Sequence, residues 1–93
     1  MNEVDWWTVY RQGEVEVRQH KWFTNWFKVF RAGKEVAVVK YRCAFPDDQT
    51  LIEHITIQFP AETGKQPVQL RRKNPEVIIA EPTELLRIVQ QYL

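Results

Sequence analysis

The chain has 93 residues, of which 44% are hydrophobic and 27% charged, and its formal net charge is +1. That length suits one modest core rather than two, so a single domain spanning 1–93 is expected. The balance excludes a polycation, the lone Cys43 excludes an internal disulfide, and no apolar run is long enough for a transmembrane helix. The opening MNEVDWW lacks the basic-then-apolar pattern of a signal peptide, so the expectation is a cytoplasmic protein with no membrane partner.

All four tryptophans lie in the first 26 residues. Asp5 to Arg11 reads as a strand, and Glu14 to Arg18 alternates as a second. A three-residue loop ending on Gly13 would join them, because glycine tolerates the left-handed conformation that such loops require. That loop sets Tyr10 opposite Glu14, Val9 opposite Val15 and Trp7 opposite Val17, so the odd positions carry the apolar face.

Gln19 to Lys21 is the expected link to the next hairpin, whose strands would be Trp22 to Phe30 and Lys34 to Cys43 around Arg31-Ala32-Gly33. The same loop pairs Lys28 with Val36, Trp26 with Val38, Thr24 with Lys40 and Trp22 with Arg42. The odd set Phe23, Phe27, Val29, Ala37, Val39 and Tyr41 is again apolar, with Asn25 the exception. Leu51 to Phe59 follows a five-residue turn segment, Pro46 to Thr50. It sets Phe45 opposite Leu51, Cys43 opposite Glu53, Tyr41 opposite Ile55 and Val39 opposite Ile57. Three hairpins agree on one core face, and a one-residue slip would invert every side chain.

Beyond Phe59 the chain turns polar. Val68 to Arg72 and Val77 to Ala80 are candidate short strands around the Asn74-Pro75 turn. Glu81-Pro82-Thr83-Glu84 opens a helix with Thr83 as its cap, and Leu85, Leu86, Ile88, Val89, Tyr92 and Leu93 form its apolar stripe. The expected fold is α+β: a five-stranded antiparallel β-meander, with room for two further short strands, and a C-terminal α-helix packed on the odd face.

The even face then carries Trp6, Tyr10, Trp22, Trp26 and Phe30 among Arg18, Lys28, Lys34, Lys40 and Arg42, with Thr24, Ile52, His54, Thr56 and Gln58. Between Val17 and Arg42 seven basic residues face one acid, Glu35, a local charge of +6. Aromatic faces that stack bases, interleaved with cations that meet phosphates, suit single-stranded nucleic acid. Trp, Tyr and Arg equally anchor protein interfaces, so a homodimer, or a small adaptor or inhibitor of a partner protein, fits the same face. Alternatively, Val68 to Ala80 folds back over the even face and the tryptophans are core.

Catalysis is the least supported reading. The chain lacks serine. Cys43 falls on the core parity, and His54 points to the other face, so no thiol has a positioned base. Asp47-Asp48 reads as a turn, and two histidines with one cysteine make no zinc site. The isolated glycines form no phosphate loop. No cofactor is expected. Lys65 with Arg71-Arg72-Lys73 forms a second basic cluster, read as a solvated loop.

Overall fold

The computed structural model describes residues 5–45, 47–71 and 81–93. Among these, six antiparallel strands run in chain order across one open sheet: β1 (Trp6–Gln12), β2 (Val15–His20), β3 (Trp26–Arg31), β4 (Lys34–Phe45), β5 (Asp48–Gln58) and β6 (Val68–Arg71). A 3-10 turn, Ala61–Thr63, precedes β6, and α1 (Pro82–Gln90) follows it. The strand count exceeds the five of the expected meander because Val68–Arg71 pairs with β5. The Asn74-Pro75 turn and the Val77–Ala80 strand lie outside the described residues.

The odd face is the core from β2 to β5. Val17, Phe27, Val29, Ala37, Val39, Tyr41, Ile55 and Ile57 are buried there, with Leu85, Leu86, Ile88 and Val89 of α1 against them. Each such side chain contributes about 1.5–3 kcal/mol by leaving water, so the four helix residues suffice to hold α1 on the sheet. Pro82 occupies the first helical position and Glu81 before it is extended (φ −100°, ψ 143°). Thr83 therefore sits inside the first turn and is not the cap, because proline's fixed φ and missing N–H suit that first position.

The turns depart from expectation in one consistent way. Each is a two-residue loop, not one of three or five. Gln12 pairs with Val15 around Gly13 (φ 59°), which has the positive φ at the first loop position that a type II′ turn needs. Arg31 pairs with Lys34 around Ala32 (φ 51°) and Gly33 (φ 79°), both left-handed as in a type I′ turn. Phe45 pairs with Asp48. A two-residue loop sets odd residues opposite even ones. Left alone, it would send one strand's apolar side chains to the wrong face.

A register shift corrects this in every hairpin. Between Thr8 and Tyr10 the pairing moves from Tyr10–Val17 to Thr8–Arg18 and Trp6–His20. Between Phe30 and Val29 it moves from Phe30–Glu35 to Val29–Ala37. Two shifts between Phe45 and Arg42 restore Arg42–His54, Tyr41–Ile55 and Val39–Ile57, the last two as expected. Several single-residue expectations change as a result. Tyr10 opposes Val17 and packs against the core rather than on the even face. Ile52 pairs with Cys43 and is fully buried, while Glu53 turns outward beside Arg42. On the turn side of the first shift, Val9 is no longer a core residue (37% exposed), and Trp7 at the sheet edge is 54% exposed.

Ala32 is the non-glycine residue with positive φ among those described. A Cβ in this conformation costs about 1–2 kcal/mol, which asparagine tolerates better. Ala32→Asn creates the Asn-Gly loop that type I′ turns favour. It is expected to raise stability by about 1 kcal/mol, read as a higher urea midpoint at unchanged slope.

Candidate functional site

The sequence places Trp22 and Thr24 on a strand, but β2 ends at His20 and β3 begins at Trp26. Residues 21–25 instead form a connection at one end of the sheet. Its geometry is set locally. The backbone N–H groups of Trp22 and Phe23 both donate to His20 Nδ1 at 3.0 Å. Gln19 Nε2 donates to the Thr24 carbonyl at 2.8 Å, and the Trp26 N–H donates to the Phe23 carbonyl at 3.0 Å. Asn25, the polar exception on the core parity, uses its Nδ2 to donate to the Tyr41 carbonyl at 2.8 Å and accepts the Tyr41 N–H at 3.1 Å. It thus extends the β3–β4 ladder by side chain as well as backbone. Burial pushes the Tyr41 phenol above its ordinary pKa.

On the even face beside this connection the rings meet. His20 stacks on Trp26 at 5.4 Å between centroids and 20° between planes, and meets Trp6 edge-on at 4.8 Å. Phe23 lies 5.2 Å from His20 and 6.0 Å from Trp26. Trp6 and Trp26 are half-buried by this mutual packing. Sequence reasoning left out His20 and Phe23: the first was assigned to a loop and the second to the core. The period-two pattern carries no sign that the link runs on past Lys21 and that β3 begins only at Trp26.

Cations lie over these rings. Lys40 Nζ is 4.2 Å from the Trp26 centroid, Lys28 Nζ 4.5 Å from Trp6, and the Arg18 guanidinium 4.3 Å from Phe30. Lys21 Nζ sits 5.4 Å from Trp7 and 5.2 Å from Trp22. Their charges are not equally disposed. Arg18 Nε donates to Glu16 at 2.9 Å, and Lys28 Nζ lies 3.1 Å from Glu35. Acids on the side of the hairpin turns thus neutralise both, although Lys28 also reaches Trp6 near the connection. Arg42 is exposed and 3.5 Å from Glu53, itself solvated, a pairing of little energetic weight. Lys40 has no carboxylate partner among the described residues.

Phe23, Asn25, Trp26 and Lys40 line an open pocket of about 200 Å³. Of the expected site residues, Trp26 and Lys40 are therefore brought together at this pocket. Trp6 adjoins it through its ring contact with Trp26. Arg42 and His54 pair across β4 and β5 on the same face, the His54 Nε2 being buried without a hydrogen-bond partner among the described residues. The Trp26 indole N–H is likewise buried and unpaired. Trp22 and Thr24 belong to the rim, with Trp22 70% exposed. Arg18, Lys28 and Phe30 lie further along the face, and Tyr10 is on the other side. The second basic cluster is split: Arg71 ends β6, while 72 and 73 lie outside the described residues.

Four large apolar residues exposed at this same end complete the picture: Trp7, Trp22, Phe23 and Phe45. The described part of the segment from Val68, β6, lies at the sheet edge with Val68 and Leu70 against the core, not over the even face. Among the described residues, no group of three or more His, Cys, Asp or Glu is placed to hold a metal ion, and no helix is long and apolar enough to cross a membrane. The chain matches no family model, no curated protein and no solved structure.

Hydrogen bonds from Arg18 and Thr8 lower the Glu16 carboxyl from 4.5 to about 2. A depressed carboxyl pKa stabilises the fold above the unfolded-state value, and this contribution disappears as pH falls through the folded-state value. The wild type should therefore lose Glu16-dependent stability between about pH 4.5 and 2. Glu16→Gln is expected to be less stable than wild type at neutral pH, with the gap closing across that interval in urea titrations.

Proposed function

We propose that the chain binds single-stranded nucleic acid at the connection end of its even face. The observation that carries this reading is the Phe23–Trp26 pocket with Lys40 at its wall, tied to an aromatic ring and, among the described residues, to no acid. A cation over an aromatic ring is held by about 0.5–2 kcal/mol, depending on how far it is desolvated. A base stacking on an aromatic side chain gains about 1–3 kcal/mol, so it can displace the ammonium from the indole face. Lys40 then turns to the adjoining phosphate. Arg42, on β4 two residues beyond Lys40, and Lys21, in the connection itself, are exposed cations that can do the same. The preference for single strands follows from access, since a duplex keeps its base faces stacked and hidden.

A protein partner is the second reading. It is favoured by the gathering of Trp7, Trp22, Phe23 and Phe45 at one end, since exposed aromatics of this kind anchor interfaces. Salt separates the two. Three phosphate contacts to a single strand give a log–log salt slope of about −2, hence a loss of roughly tenfold or more in affinity between about 50 and 200 mM salt.

The test is fluorescence anisotropy of labelled single-stranded DNA and RNA, with the mass of the free protein taken from light scattering. Saturable binding with that salt slope is expected. Trp26→Ala should weaken it by about 1–3 kcal/mol, and Lys40→Ala should make the slope shallower by about 0.7. Absence of binding, or binding indifferent to salt, contradicts the nucleic-acid reading. A dimeric sample that fails to bind supports the homodimer instead.

A further inference from the structure

His20 is used by the fold in a way that leaves its proton no freedom. An imidazole nitrogen accepting two N–H groups must be unprotonated, so the bonds from Trp22 and Phe23 to Nδ1 fix the neutral Nε2–H form. In the imidazolium both nitrogens are donors, and the two backbone N–H groups lose their acceptor. Those two bonds fix the middle of the 21–25 connection, together with the Gln19–Thr24 and Trp26–Phe23 bonds, while Lys21–Asp5 and Asn25–Tyr41 bonds anchor its two ends. The connection in turn supplies Phe23, one wall of the pocket.

We propose that His20 is the positioning residue of this pocket: its neutral imidazole sets Phe23 against Trp26, and its protonation releases the connection and weakens ligand binding. The proposal rests on the nucleic-acid reading only for the identity of the ligand.

The surroundings of His20 come from three elements. Trp6 of β1 meets it edge-on and carries Lys28 over its own ring. Trp26 of β3 stacks on it and carries Lys40. Within the connection it meets Phe23 and precedes Lys21, whose N–H donates to the Asp5 carbonyl at 2.7 Å. The charged side chains nearest it are thus Lys28 and Lys40, over the two rings that meet it, and Lys21 next in the chain, and among the described residues no carboxylate is bonded to its ring. The predicted pH effect also has a distinctive sign. A histidine that merely met phosphates would bind more tightly in acid, whereas release of Phe23 makes binding weaker.

Two readouts test this. The first needs no ligand: the amide resonances of Trp22 and Phe23 are followed by nitrogen–proton correlation spectra from about pH 8 to about pH 5, where histidine titrates. Both should move with the His20 ring signals in the wild type. They should stay still in His20→Asn, whose Oδ1 accepts the same N–H groups in an Asx-turn without titrating. The second is binding of labelled oligothymidylate over the same range. Wild-type affinity should fall about tenfold, the worth of one to two hydrogen bonds. His20→Asn should bind well at both ends, His20→Phe, which keeps the ring but not the acceptor, poorly at both, and His54→Gln should retain the wild-type profile.

Amides of Trp22 and Phe23 that ignore the His20 titration, or that move equally in His20→Asn, overturn the proposal. So does oligothymidylate binding that strengthens in acid. Oligothymidylate that binds at neither pH overturns the nucleic-acid reading, while the amide shifts still decide the role of His20.

Discussion

The structure depends on a single constraint: every strand of the meander must present its apolar set to the same side, where α1 can cover it. Side chains alternate along a strand, so parity is all that separates a core from an exposed greasy face. The three tight hairpins each break parity, because two-residue loops set odd residues opposite even ones. Each is followed by a register shift that restores it. A shift of this kind leaves one residue out of the pairing, a small cost beside the burial of Val17, Val29, Val39, Ile55 and Ile57. Near the end of the β4–β5 hairpin the same device also improves the core, exchanging Glu53 for Ile52.

That constraint leaves the other face to carry what the core does not take. Its rings pack on one another, and its cations lie over them, so Trp6 and Trp26 are half-buried without a covering element among the described residues. The face is then graded along its length. Toward the β1–β2 and β3–β4 turns, Glu16 and Glu35 bind Arg18 and Lys28, and the positive charge is spent internally. Toward the 21–25 connection, Lys40 and Arg42 project beside an aromatic pocket. Of the exposed cations, Lys40 and Arg42 thus lie toward the aromatic pocket, while Arg31 and Lys34 lie at the β3–β4 turn.

Much of this was legible in the residues. The odd-numbered core, the apolar stripe of α1, and the pairing of Tyr41 with Ile55 and Val39 with Ile57 all follow from alternation. Turn lengths were not legible, because a lone glycine serves a two-residue and a three-residue loop equally well, and its position within the loop is set by pairing that only the fold reveals. The resulting errors were local: Tyr10, Val9, Ile52 and Glu53 changed sides while the body of the sheet kept its face. At the candidate site, alternation puts Trp26 and Lys40 on one face, and the structure pairs them across β3 and β4. Trp22 and Thr24 were misplaced because aromatic alternation continues through a segment that a histidine side chain has bent into a turn. His20 itself gave no signal, since its role is an acceptor geometry and not a spacing.

The central claim is that ligand engages the connection end of the face opposite α1. Mapping amide and indole chemical-shift changes on titration with a short oligothymidylate tests it most directly. The account predicts changes concentrated at Trp6, His20, Phe23, Trp26, Lys40 and Arg42, with α1 and the turns at Gly13 and Gly33 unmoved. Changes centred on α1 or on those turns, or a spectrum that does not respond at all, would contradict it.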